Sequence, residues 1–185
     1  VIPVRTAVVD DLPELQEIER VAGQVFHSVG MSEVADDAPP SIEELDRYRR
    51  AGWALVAPNE FDVPVAYLLA EPVDGALHIE QVSVHTDFSR RGLGGRLIEK
   101  AAECAVANSY DGLTLTTFVE VPWNAPYYRR LGFVELRVEN VTPGLAAIRR
   151  KEADLGLDRW PRICMRKELS AYCETDYLHR KPTKA

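Results

Sequence analysis

Cysteine is scarce in this chain: Cys104, Cys164 and Cys173 are the three among 185 residues, odd in number and far apart. That set makes neither a disulfide framework nor a zinc-ligand spacing, so a reducing cytoplasm and no metal are expected. Long apolar runs are missing too. None reaches the roughly 20 residues needed to span a bilayer, and no membrane association is expected. The stretch "VIPVRTAVVDDLPEL" has acidic residues where a secretory signal would carry basic and apolar ones. Basic residues are outnumbered, 22 Lys and Arg against 29 Asp and Glu, giving a net charge of -7. That balance excludes a general affinity for nucleic acid, whose phosphates need a basic face.

What is present is ordinary for a globular chain: 46% hydrophobic and 28% charged residues, without repeats or low-complexity segments. The length fits one domain, read as residues 1–169, followed by a tail over 170–185 whose sequence shows no clear period. "VRTAVV" reads as a strand, and Asp10 as the cap of a helix in which Leu12, Leu15, Ile18, Val21 and Ala22 recur at helical spacing. "HSVGMSEVADDAPP" reads as irregular. Ser41 and Glu44 form a capping-box pattern before a second helix. "WALVAP", "VPVAYLLAEPV" and "ALHIEQVSVH" read as strands, the first two joined as a hairpin through "NEFD". Then follow a helix with Leu93, Leu97, Ile98, Ala101, Cys104 and Ala105 on one face, the strand "GLTLTTFVEV", a short helix "NAPYYRRLG", the strand "FVELRVENV", a helix in "TPGLAAIRRKEADLG" and the strand "PRICMRKEL". This order gives a mixed α/β (α+β) fold with a mostly antiparallel sheet and one parallel crossover.

The informative stretch is "VSVHTDFSRRGLGGRLIEKA", where a β-branched run passes two arginines and three close glycines into a helix. Glycine lets backbone N–H groups converge on a ligand, and a helix start adds unpaired donors and partial positive charge. The stretch is therefore a candidate anion site. It matches neither the P-loop, which needs Lys-Ser/Thr after the glycines, nor the dinucleotide fingerprint, which needs a third glycine where Leu97 stands.

The pattern R-R-G-x-G resembles the pyrophosphate loop of the GNAT superfamily of acetyl-CoA-dependent N-acyltransferases. That loop reads Gln/Arg-x-x-G-x-Gly/Ala between the fourth strand and the third helix. Gly92 and Gly94 match, and Ser89 stands where the family has Gln or Arg. "WNAPYYRRLGF" resembles the family's N-x-x-x-Y-x-x-x-G-F stretch, with Asn124, Tyr128, Gly132 and Phe133 in place. The order of elements matches from Val4 to about Leu169.

The resemblance implies a GNAT fold of about seven strands, splayed between the fourth and fifth, with four to five flanking helices. It implies that Arg90, Arg91, Gly92, Leu93, Gly94 and Gly95 hold the CoA pyrophosphate. Val82 and Val84 would pair with the pantetheine arm, and Asn124 would contact that arm or cap its helix. Leu77 and Ile79 share one strand parity and Val82 and Val84 the other, so the strand carries a β-bulge near Glu80–Val82 or is buried on both faces.

Transfer of an acetyl group to an amine needs a base, an oxyanion donor and an acid for the leaving thiolate. By the same resemblance Glu80 is the candidate base, its pKa raised by burial, with His78 and Glu120 as alternatives. The Val82 N–H is the oxyanion donor and Tyr128 the acid. His27, Trp53, Trp123, Trp160 and the run Arg149, Arg150 and Lys151 read more simply as surface or packing residues. The partners implied are acetyl-CoA and an amine-bearing acceptor, with a homodimer left open. The competing readings are a CoA-binding sensor without chemistry and a transferase for another acyl-CoA or a hydroxyl acceptor.

Overall fold

The structure, a computed structural model, describes residues 3–169. The tail expected over 170–185, with Cys173, lies outside the described residues. The sheet has seven strands in the order β1-β2-β3-β4-β5-β7-β6. The described chain falls into two compact units: residues up to Glu71 with Ile79–Ala101, and Pro72–His78 with the residues from Ala102 onward.

In the first unit β1 (Arg5–Thr6) pairs antiparallel with β2 (Ala54–Pro58), Arg5 opposite Val56. β2 pairs in turn with β3 (Pro64–Val73), Ala54 opposite Leu69. The turn joining β2 to β3 uses Asn59, whose Oδ1 accepts from the N–H groups of Phe61 and Val63, and Asp62 at φ 61°. Residues 64–70 of β3 are all buried, as befits a central strand covered on both faces. Helix α1 (Leu12–Gly23) turns Leu12, Leu15 and Ile18 inward at helical spacing. They meet Leu45 and Tyr48 of a further helix, Ile42–Arg50, and Val56, Tyr67 and Leu69 of the strands. Each such aliphatic side chain withdrawn from water contributes about 1.5–3 kcal/mol.

Two local expectations change here. Only Arg5–Thr6 of the expected first strand pairs, because the Asp11 carboxylate takes the Val8 N–H at 2.7 Å and turns the chain out of the sheet. Arg5 braces that turn, 2.7 Å from Asp11 and 3.0 Å from Asp62. A 3-10 helix over Gln24–Val29, closed by Gly30 at φ 74°, runs into the segment read as irregular, which also holds a one-turn helix α2 (Ser32–Ala35). His27 bridges them, with Nε2 2.9 Å from Asp36 and Nδ1 3.3 Å from Ser32 Oγ. The helix after it, α3 (Ile42–Arg50), starts as read: Ser41 Oγ accepts from the Glu44 N–H at 3.1 Å.

β4 (Ala76–Val84) contributes Ala76–His78 to the second unit, where Leu77 and His78 pair in parallel with Leu113 and Thr114 of β5 (Gly112–Phe118). Between these strands α4 (Leu93–Ala107) buries Leu97, Ile98, Ala101, Ala102 and Ala105, close to the stripe read from its sequence. β5 pairs antiparallel along its whole length with β7 (Arg162–Glu168). β6 is only Val134–Glu135. The longer strand expected there is cut short by a 3-10 turn over Val138–Asn140, and Val138 is 89% exposed.

α5 (Ala125–Arg130) follows β5, and α6 (Pro143–Asp154) precedes β7. The start of α6 is pinned twice: Thr142 Oγ1 caps Leu145, and Asp74, in the turn before β4, accepts the Gly144 N–H at 2.6 Å. Asp74 has its carboxyl held below the usual range by Thr142 first and by that N–H second. Further along α6, Glu152 accepts from Thr116 and Arg149, and from Arg162 at 2.8 Å. Arg149 also reaches Asp158, so it belongs to a partly buried ion network rather than to the solvated face expected of it.

Candidate active site

In the first unit the expected phosphate loop is a strand-to-helix junction built from backbone. A 3-10 turn, Thr86–Phe88, follows β4, and the Asp87 N–H donates to His85 Nδ1 at 3.2 Å. Ser89 is extended, Arg90 sits at φ 59° and Gly92 at φ 76°. A non-glycine residue held left-handed costs on the order of 1–3 kcal/mol and persists where the surroundings over-determine it. At Gly92 an added Cβ would meet nothing within 4 Å, so the backbone angle and not packing asks for glycine.

The first helical bond of α4 runs from Arg96 N to Gly92 O at 3.1 Å. The N–H groups of Leu93, Gly94 and Gly95 therefore lie in the first turn, ahead of any intrahelical acceptor. Arg91 is turned back into the loop, donating to the Asp87 carbonyl at 3.0 Å with its guanidinium 4.9 Å from the Phe88 ring centroid. Arg90, which is exposed, forms no ion pair with another described residue. Left-handed backbone at Arg90 and Gly92 and a helix start with unpaired N–H groups are the features that an anion site of the expected kind requires.

β4 differs from expectation in its facing. Ala76–Ile79 are all buried, so this part of the strand is covered on both faces. Beyond them the covered position is Ser83, 5% exposed, while Val82 and Val84 are half-buried. Glu80 is exposed, so the burial expected around that carboxylate is absent.

In the second unit the Asn-to-Phe stretch forms the end of β5 and α5. Asn124 stands at the helix start without capping it. Its Nδ2 donates to Thr117 Oγ1 at 2.9 Å, and its Oδ1 is buried with no hydrogen-bond partner. Such an acceptor is costly unless something donates to it.

Tyr128 is held by its neighbours, its ring 5.8 Å from Phe133 and 5.5 Å from Tyr127. Burial first, then Tyr127, pushes its phenol well above the ordinary range, so it stays protonated at neutral pH. Gly132 at φ 88° ends the helix, and the Phe133 N–H returns to the Tyr128 carbonyl at 3.1 Å.

The alternative bases fare differently. His78 is 1% exposed, bonded through Nδ1 to Thr114 Oγ1 at 3.0 Å, and its pKa is lowered by burial to about 4. Glu120 is on the surface. A hollow of about 440 Å³ in this unit, lined by Gly132, Val134, Leu136, Asn140 and Arg166 among others, includes none of the expected catalytic or cofactor-binding residues. Among the described residues no group of three or more His, Cys, Asp or Glu could hold a metal ion, and no helix is long and apolar enough to cross a membrane.

The sequence reading missed one cluster, in the first unit. Glu19 of α1 accepts from Tyr67, Gln81 and Ser83. Glu19 lies among Glu14 and Glu17 and looks like part of a solvated helix face. The available signal was the alternation of Gln81 and Ser83 on β4.

Both stretches that resemble family motifs thus fold as expected, one as a strand-to-helix junction and the other as a short tyrosine-bearing helix. The family model for the acetyltransferase (GNAT) family matches residues 13–133, and the chain belongs to that family. The fold agrees with that of solved structures. A GNAT-family acetyltransferase from Staphylococcus aureus Mu50 superposes with a TM-score of 0.70 at 14% identity, over 92% of this chain and 100% of that one. The PaiA N-acetyltransferase of Thermoplasma acidophilum, solved with coenzyme A, gives 0.64 at 15% identity, over 91% and 99%. The ribosomal-protein-S18-alanine N-acetyltransferase of Escherichia coli gives 0.62 at 17% identity, over 90% and 93%.

Proposed function

We propose that this protein is an acetyl-CoA-dependent N-acetyltransferase that carries acetyl to a primary amine by direct attack in a ternary complex. The observation that carries the reading is the loop from Ser89 to Gly95. Its left-handed Arg90 and Gly92 lead into a helix start, in the segment that resembles the family's pyrophosphate loop. Arg90, Arg91 and the N–H groups of Gly92, Leu93, Gly94 and Gly95 hold the phosphates. Val82 and Val84 offer backbone groups to the pantetheine amides, and the half-open face they carry suits that role. The unpartnered Asn124 Oδ1 fits an amide N–H of the same arm.

Glu80 is the base. Being exposed, it takes the ammonium proton through water, after which the amine attacks the thioester carbonyl. The Val82 N–H stabilises the oxyanion and the Tyr128 phenol protonates the departing thiolate. Residues 1–169 work as one domain, in the cytoplasm, where the unpaired Cys104 and Cys164 are at home.

Thiol release from acetyl-CoA across an amine library tests the activity. A protein that binds acetyl-CoA yet releases no thiol with any amine would be a sensor instead. With an acceptor found, Tyr128→Phe should lower kcat on the order of 10²–10⁴-fold at every pH. Glu80→Gln should be most defective below the amine's pKa and recover as pH rises, because solvent then supplies free amine. A pH-independent Glu80→Gln defect would remove Glu80 from the role of base.

A further inference from the structure

Between α1 and the second half of β4 lies a cluster that none of these roles uses. Glu19 Oε2 accepts from Tyr67 OH at 2.6 Å and from Ser83 Oγ at 2.5 Å. Gln81 Nε2 reaches Glu19 Oε1 at 3.0 Å and Oε2 at 3.2 Å, and also donates to Ser83 Oγ at 2.8 Å. Ser83 is 5% and Tyr67 0% exposed. A carboxylate is acceptor-only with room for about four donors, so one Glu19 side chain can satisfy three different residues at once. Bonds to an ionised acceptor are also about twice as strong as neutral ones.

The consequence falls on Val82. Gln81 and Ser83 flank it and share the strand face opposite to its own side chain. Both are tied to the same oxygen pair on α1, which holds the peptide units on either side of Val82 in one orientation. We propose that Glu19 is a positioning residue for the transfer reaction: through Gln81 and Ser83 it aims the Val82 N–H. This rests on the reading that Val82 is the oxyanion donor. Glu19 touches neither substrate. Its effect is preorganisation, since a donor aimed in advance needs no rearrangement when charge develops.

The cluster also supplies its own control. Tyr67 bonds the same carboxylate but lies on β3, so losing its hydroxyl leaves the tie to β4 in place. Three variants are compared with the wild-type protein. Glu19→Gln puts an amide donor against donors, the double variant Gln81→Ala/Ser83→Ala cuts the tie at β4, and Tyr67→Phe removes the third donor.

Expected are a 10- to 100-fold lower kcat for the first two at unchanged acetyl-CoA affinity, with a defect flat in pH, unlike that of Glu80→Gln. Tyr67→Phe should lose thermal stability and keep kcat. Amide NMR with acetyl-CoA as the probe reads the same point without turnover. Addition should shift the Gly92, Gly94, Gly95 and Val82 signals in the wild-type protein, and the Val82 response should shrink in Glu19→Gln.

If the wild-type loop amides do not respond, the function proposed above fails. If they respond in every variant while Glu19→Gln keeps full kcat and an unaltered Val82 response, the positioning role is overturned. It is equally overturned if Tyr67→Phe lowers kcat as much as Glu19→Gln.

Discussion

Replacing Gly92 by aspartate separates what the loop does for folding from what it does for a ligand. The residue sits at φ 76° with nothing within 4 Å of an added Cβ, so the substitution meets no steric clash. A left-handed L-residue costs about 1–2 kcal/mol, and aspartate tolerates that region better than most. A carboxylate at the start of α4 returns about 0.3–1 kcal/mol against the helix dipole. Net stability should therefore fall by no more than about 2 kcal/mol.

For pyrophosphate the balance is different. Two like charges about 4 Å apart repel by about 4 kcal/mol at an effective dielectric near 20, and physiological salt removes part of that. Loss of a charge-assisted amide contact adds about 1.5–3 kcal/mol. A total near 4 kcal/mol corresponds to a Kd for acetyl-CoA about 10³-fold weaker. Gly92→Ala carries the same backbone cost without the charge and should weaken binding less than about 10-fold. Calorimetric titration of both variants, with circular dichroism to verify folding, decides the matter. A folded Gly92→Asp protein that binds like Gly92→Ala would refute the placement of phosphate at this loop.

Arg90→Ala should weaken acetyl-CoA binding by about 1.5–3 kcal/mol in the same titration, and an unchanged Kd would leave the phosphates to backbone groups and Arg91. Gly144→Ala should destabilise the protein by about 1–3 kcal/mol in a urea melt, because the new Cβ would fall 2.6 Å from Val73 Cγ1 as well as from Asp74 Oδ2. A wild-type midpoint would mean that α6 can shift at no cost. His78 gives a pH dependence of definite sign. Burial lowers its pKa from 6.5 to about 4, so as pH falls through 6.5 the unfolded chain takes up a proton that the folded chain refuses until about 4. Stability is thus lost between those values, by about 3 kcal/mol from this group. His78→Gln should flatten that part of the profile relative to wild type, and parallel profiles would show that His78 is not the titrating group.

Where sequence and structure agree, a side chain and its backbone say the same thing. Leu97, Ile98, Ala101 and Ala105 lie at helical spacing on α4 and are buried there, and Ser41 caps the helix it precedes. Gly132, the last residue of the short helix read from the sequence, ends α5 at positive φ. The misreadings arise where polarity hides burial or apolarity hides exposure. Ser83 is interior because a carboxylate from another element bonds it, which no strand pattern reveals. Val134 and Val138 alternate like a strand face yet stand 70% and 89% exposed, with only the first inside a strand. The stretch from Gln24 to Ala35 folds into pieces too short for any period to register. At the candidate site, residue types and spacings were readable, whereas the exposure of Glu80 and the free Asn124 Oδ1 depend on what surrounds them in space.

The second unit is not contiguous in the chain, and that bears on how it is made. As the polypeptide leaves the ribosome, the first unit has all its residues once Ala101 has emerged. Pro72–His78 by then has no partner from its own unit, because Leu113 and Thr114, which pair with Leu77 and His78, come 36 residues later. Parallel pairing at that separation closes late, since loop entropy is lost before the contact forms. For the same reason a fragment begun at Ala102 would keep β7 against β5 and leave the other side of β5 without the strand that covers it. Such an open edge invites a foreign strand, so the excised fragment should aggregate unless a peptide carrying Pro72–His78 is supplied with it.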